Sequence, residues 1–239
     1  MTHPIFLDDP YCADAPGRVV AHTAEGGIVL DRSIFYPTGG GQPGDSGHVS
    51  WAGGGLDVAT TVKGDADAIV LVPAAPQALP PVGMQLQQVL DWPRRHRLMR
   101  MHTGLHLLSV VIPLPVSGGA IAEARSRLDF DMPEAPEDPD ALEAALNALV
   151  DADLPVTEDW ITGAELDANP ELVKTMSVAP PRGAGRIRLV QIGNGPAFVD
   201  RQPCGGTHVA RTGEIGQMRI GKIEKKGRQN RRVYLHLDN

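Results

Sequence analysis

No stretch of this chain is apolar for long enough to cross a membrane. Its opening residues, Met1-Thr2-His3-Pro4, lack the basic and apolar regions of a secretory signal. A cytoplasmic location without membrane contact is the expectation. Cysteine is scarce: Cys12 and Cys204 are the two in 239 residues. That excludes a disulfide framework, and in a reducing compartment it argues against even one bridge. An excess of positive charge is missing too. The formal net charge of −7 argues against non-specific nucleic-acid binding by the surface as a whole. No internal repeat is visible. No glycine-rich stretch ends in the Lys-Ser/Thr of a P-loop. What is present, 42% hydrophobic and 21% charged residues, is ordinary for a soluble globular protein holding one large domain or two modest ones.

Residues 1–90 read as all-β. Short apolar or β-branched runs recur at 18–22, 27–30, 48–51, 56–62 and 68–72, and turn-rich pieces such as Gly53-Gly54-Gly55 separate them. A proline-rich connector from Pro73 to Pro81 leads to a last strand at 84–90. Such a pattern predicts a small barrel or sandwich. Residues 91–239 mix helices with strands. Asp91-Trp92-Pro93 opens a helix carrying Leu98, Met101, Leu105, Leu108 and Ile112 at helical spacing. Further strands are expected at 125–131, 154–161, 186–193, 196–200, 214–222 and 231–237. A helix is expected after Asp138-Pro139, and a short irregular one between Thr162 and Asn169-Pro170. The fold class is therefore α+β.

Two short motifs carry the chemistry. In His102-Thr103-Gly104-Leu105-His106 the imidazoles are four residues apart, so they leave one face of the helix a turn apart. In Cys204-Gly205-Gly206-Thr207-His208 a thiol and an imidazole have the same separation, across glycines that favour a turn. Together they give three imidazoles and one thiolate, a donor set that zinc (Zn2+) prefers. The Glu that a zinc peptidase would carry after His102 is replaced by Thr103, which argues against that class. A third motif runs from Phe35 to Gly47, FYPTGGGQPGDSG. So many glycines imply either a tight inter-strand loop or a backbone that approaches a ligand closely. On the ligand reading, Gly39, Gly40, Gly41, Gln42 and Asp45 are the candidate contacts. Finally, seven basic residues between Arg219 and Arg232 face the single acid Glu224, a local +6 that leaves −13 for the rest. Either this is a solvated hairpin edge or it is where phosphate contacts concentrate.

FYPTGGGQPGDSG, HTGLH, RSRLDFD, CGGTHV and GKIEKKGRQNRR, in this order over nearly the whole chain, resemble the stand-alone alanyl-tRNA editing proteins. These form the AlaX family, related to the editing domain inside alanyl-tRNA synthetase. The resemblance implies the medium-length architecture, a glycine-motif β-barrel over 1–90 followed by a zinc-dependent editing domain over 91–239. It implies zinc on His102, His106, Cys204 and His208, and hydrolysis of serine, and secondarily glycine, from mischarged tRNA(Ala). Lys222, Lys225, Lys226, Arg228, Arg231 and Arg232 are the expected tRNA contacts. The synthetase-fused relatives usually carry a polar residue just before the second His, where this chain has Leu105. Thr103 or Thr207 then becomes the candidate for binding the substrate hydroxyl, with Gly205 and Gly206 offering backbone N–H groups to a developing oxyanion. Such a hydrolase has a reason to exist. A pocket shaped for alanine rejects an isostere with one added hydroxyl by only about a hundredfold. Four protein donors usually mean a closed structural zinc, whereas catalytic zinc keeps a position open. A tRNA-binding module with structural zinc is thus the rival reading, and the choice between monomer and homodimer stays open.

Overall fold

Alternating buried and exposed residues in the N-terminal part build a closed six-stranded barrel, in a computed structural model that describes residues 1–176 and 185–238. The chain divides into two units, Met1–Arg97 and Leu98–Asn239. In the first, β1 (His3–Pro4) leads into α1 (Ile5–Asp8), then β2 (Asp14–His22), β3 (Ile28–Leu30) and β4 (Arg32–Ser33). After these come β5 (Gly47–Trp51), β6 (Gly54–Lys63), β7 (Ile69–Pro73) and β8 (Gln85–Leu90). The barrel order is β2-β3-β7-β6-β5-β8, closed by antiparallel pairing of β8 with β2, while β1 and β4 make a short parallel pair. In β2 every second residue from Ala15 to Val19 points inward. Inside are Val19, Ile28, Leu30, Val49, Leu56 and Leu71.

The glycine-rich loop lies between β4 and β5, folded tightly on itself. Gly39 and Gln42 exchange backbone hydrogen bonds of 3.0 and 2.9 Å. Gly40 and Gly41 hold φ of +56° and +83°, a region costly for any residue with a Cβ. Gly44 answers a different need. A Cβ there would sit 1.9 Å from the Thr61 carbonyl oxygen, so only glycine lets the loop lie against β6. Asp45 anchors the loop's end. Its carboxylate accepts from Arg95 Nε (3.1 and 3.0 Å) and from the Tyr36 amide (2.6 Å).

Helix α2 (Trp92–Val111) starts in the first unit and runs into the second. Asp91 begins it: its Oδ1 accepts from the Arg94 amide and its carbonyl from the Arg95 amide. From Leu98 to Ser109 nearly every side chain is buried, which is why the helix is apolar on more than one face. The second unit continues with β9 (Val116–Ala120), β10 (Arg125–Asp131), α3 (Pro139–Asp151), β11 (Val156–Thr162) and α4 (Gly163–Ala168). It ends with β12 (Arg186–Ile192), β13 (Asp200–Pro203), β14 (Met218–Lys225) and β15 (Asn230–Leu237). Two antiparallel sheets result, ordered β14-β15-β10-β9 and β11-β12-β13. The expected cap at Asp138 forms, and a second cap begins α4. Asp138 accepts from the Ala141 amide, and Thr162 and Glu165 make a reciprocal capping box.

Two expectations need correction. The strand placed at 196–200 is a 3-10 turn at Gly195–Ala197, with the strand starting at Asp200. Positive φ at Gly193 and Gly195, and Pro196 without an N–H, prevent an earlier start. The strand placed at 214–222 begins only at Met218, because Thr212–Ile215 coils into a 3-10 turn before Gly216, φ +72°. Val116–Ala120, not among the expected strands, is an edge strand of the larger sheet.

Candidate metal centre

Helix α2 and the turn after β13 bring His102, His106, Cys204 and His208 together, with one potential ligand atom from each within 4.8 Å of the others. Cys204 Sγ stands 3.4 Å from His102 Nε2 and 3.3 Å from His208 Nε2. Tetrahedral zinc with bonds of about 2.0–2.3 Å holds its donors roughly 3.3–3.8 Å apart. The two Cys204 distances fall in that range, and the donor chemistry of the cluster is compatible with a zinc site.

The groups behind these ligands fix their orientation. His106 Nδ1 is 2.8 Å from Asp200 Oδ2, which leaves Nε2 for a metal. Asp200 is 1% exposed and also accepts from Lys174 Nζ at 2.5 Å and Gln202 Nε2 at 2.9 Å. On the other side His208 Nδ1 is 3.1 Å from Thr103 Oγ1. That hydroxyl donates to the Met99 carbonyl at 3.0 Å and accepts from the Val209 amide at 3.2 Å. One donor and two acceptor positions are thereby filled, so Thr103 orients His208. Thr207 is fully buried, and Leu105 is buried too. The turn itself is braced by Arg188 on β12, whose Nη1 donates to the carbonyls of Cys204 and Gly206, each at 2.8 Å. Arg188 pairs in turn with Glu158. Gly205 is the exposed point of the turn, with nothing within 4 Å of where a Cβ would be.

Electrostatics in the cluster follow from this packing. Burial opposes a charged thiolate, yet His102 and His208 hold Cys204 well below the usual thiol value. Burial pushes His208 down to about 3, helped by the neighbouring His102. His106 goes the other way, up to about 9. Burial works against its charge, but the Asp200 carboxylate and the Cys204 thiolate outweigh it. Asp200 is lowered to about 2 despite its burial, mainly by the bond to His106. A thiolate and a neutral His208 are the forms a metal needs, and the proton on His106 is the one it would displace.

The other expected site residues are not part of this cluster. Gly39, Gly40 and Gly41 are at the loop surface of the first unit, while Gln42 and Asp45 are buried, the latter committed to Arg95. In the basic hairpin Lys225, Lys226 and Arg228 are exposed. Lys222 and Lys226 pair with Glu224 at 2.8 and 3.3 Å. Arg232 chelates Asp129 through bonds of 2.7 and 2.9 Å. Arg231 is buried and donates to the carbonyls of Pro133, Gly227 and Asn230. Sequence reasoning does not find Asp200, Lys174 or Arg188, because the groups they hold (His106, Asp200 and the Cys204 and Gly206 carbonyls) are remote from them in the chain. Among the described residues no helix is long and apolar enough to cross a membrane.

An α+β chain with a closed barrel and a His/His/Cys/His cluster is the class that fold and site define. Comparison with known proteins narrows it. The family described as "Threonyl and Alanyl tRNA synthetase second additional domain" matches residues 187–234, and "tRNA synthetases class II (A)" matches residues 15–94. An alanine–tRNA ligase of Pyrobaculum arsenaticum is 35% identical over 94% of this chain. The chain spans only about a quarter (25%) of that ligase. The alanyl-tRNA editing protein AlaX-M of Methanosarcina acetivorans is 29% identical over 99% of both chains. AlaX-L of Pyrococcus horikoshii is 31% identical over 98% of this chain and 57% of its own length. Over nearly its full length the chain is thus a homologue of the AlaX alanyl-tRNA editing proteins.

Proposed function

We propose that this protein is a trans-editing hydrolase that cleaves the ester of mischarged alanine tRNA, serine-charged first and glycine-charged second. The observation that carries this reading is the zinc-compatible cluster built from HTGLH and CGGTH in a homologue of alanyl-tRNA editing proteins. His102, His106, Cys204 and His208 would hold zinc, which supplies Lewis acidity when bound. Asp200 and Thr103 fix the imidazoles. The Gly205-Gly206 turn, open on the Gly205 side, offers backbone amides where negative charge develops on the ester oxygen. Gly39–Gly41 are assigned as contacts of the tRNA in this reading.

The test is deacylation of serine-charged against alanine-charged tRNA(Ala), with and without a chelator. Rapid, chelator-sensitive loss of serine with alanine spared is expected. The four-donor cluster also suits a structural zinc in a tRNA-binding module. That reading is favoured if chelation unfolds the protein and neither substrate is hydrolysed.

The exposed part of the basic hairpin is assigned to tRNA phosphates. Neutralising Lys225, Lys226 and Arg228 together is expected to weaken tRNA binding and to flatten its log–log salt dependence by about 0.9 for each phosphate no longer neutralised. Turnover at saturating substrate stays within about twofold. Changing Arg232 in the same assay serves as the control, since its charge is already spent on Asp129. An unchanged salt slope in the triple variant would return the hairpin to the role of a solvated edge.

A further inference from the structure

Aromatic residues make up only 4% of this chain, yet Trp160 stands 38% exposed on β11, an edge strand of the three-stranded sheet. Its face of that sheet is settled by register. Trp160 lies directly opposite Arg188, Glu158 opposite Val190, and Val156 opposite Ile192. Val190 and Ile192 in turn face Gln202 and Asp200. Directly opposed residues share a face, so Trp160, Arg188, Gln202 and Asp200 all project to the side where Asp200 holds His106. Trp160 is therefore the open aromatic margin of the sheet face that carries the metal centre.

Arg188 supplies the second observation. It is 6% exposed, and its Nη groups are used by Cys204, Gly206 and Glu158. Its Nε–H is buried without an acceptor among the described residues. A buried donor left unpaired is costly, so its persistence points to an acceptor that arrives with a ligand. An aromatic face beside a guanidinium is the pairing that recognises an unpaired base.

We propose that Trp160 and Arg188 seat the unpaired 3′-terminal nucleotide of the tRNA, the base stacking on the Trp160 indole and Arg188 Nε–H donating to an acceptor of that nucleotide. The assignment rests on the editing reading above. The ester to be cleaved sits on the ribose of that same nucleotide, so its base must lie beside the metal-ligand turn, and Arg188 links Trp160's strand to that turn directly.

The experiment uses the zinc-loaded full chain and the trinucleotide CCA, followed by tryptophan emission and by competition against labelled CCA. Trp160→Leu keeps bulk without an aromatic face, and Trp160→Phe keeps the face. Stacking of one base predicts a Kd for CCA raised about 5- to 100-fold in Trp160→Leu, a near-native Kd in Trp160→Phe, and loss of quenching in both. KM for serine-charged tRNA should follow the Kd while kcat holds. Equal binding by all three proteins would overturn the proposal. So would equal weakening in both variants accompanied by loss of zinc, which would make Trp160 a packing residue. If the wild type binds CCA with quenching but hydrolyses nothing, the editing reading falls and the nucleotide seat stands. If it hydrolyses and Trp160→Leu keeps its KM, the seat falls and the editing reading stands.

Discussion

Changing Cys204 and His208 together to alanine is expected to take bound zinc from one ion per chain to none, with serine deacylation falling to background. The argument is one of donor count. The double variant removes the thiolate and the imidazole that Thr103 orients, and leaves two imidazoles on α2. Apparent binding energies of about 10–16 kcal/mol for structural zinc depend on all four donors. A graded companion is Asp200→Asn. The amide keeps the size of the group and an acceptor for His106 but loses the charge that raises its basicity. Zinc affinity should then drop about 10- to 100-fold without emptying the site at high zinc. Metal content by elemental analysis and affinity by chelator competition measure both effects. Full occupancy in the double variant would discard this ligand set, and native affinity in Asp200→Asn would remove Asp200 from its support.

That ligand set is legible in the sequence because both halves are local. Each pair lies within five consecutive residues, and helix or turn geometry alone aims its two donors the same way. The barrel is legible for a similar reason, since glycine-marked turns separate its strands and runs such as Leu56-Asp57-Val58-Ala59 alternate with period two. The supporting groups are not. Asp200 reaches His106 across 94 positions, and Thr103 meets His208 across 105, distances over which no periodicity speaks. Charge is the most misleading local signal. A count of basic residues over 219–232 includes Arg231 and Arg232, whose guanidinium groups are spent on backbone carbonyls and on Asp129. The glycine-rich segment blends two causes that composition cannot separate. Gly40 and Gly41 serve a positive-φ turn, whereas Gly44 is needed because Thr61 leaves no room for a side chain.

Arg95→Met is expected to be the most damaging single change in the first unit. Arg95 and Asp45 have 0% and 1% of their side chains exposed, and their pairing is reinforced on all sides. Arg95 also donates to the carbonyls of Pro10 at 3.0 Å and Ile34 at 2.8 Å, and Asp45 accepts from the Tyr36 amide. Methionine fills much of the same volume but leaves a buried carboxylate without its cation and two carbonyls without their donor. Removing one member of a buried pair costs about 3–5 kcal/mol, a large share of the roughly 5–15 kcal/mol that holds a typical protein together. The same logic predicts asymmetry. Arg95→Met with Asp45→Leu should recover part of the loss, because no buried charge is then stranded, but not all of it, because Pro10 and Ile34 still lack a donor. Urea unfolding in a Trp160→Phe background measures this cleanly, since the remaining tryptophans, Trp51 and Trp92, both lie in the first unit. A single variant less than about 1 kcal/mol below wild type, or a double variant worse than the single, would show that the pair is not what holds the glycine-rich loop against the start of α2.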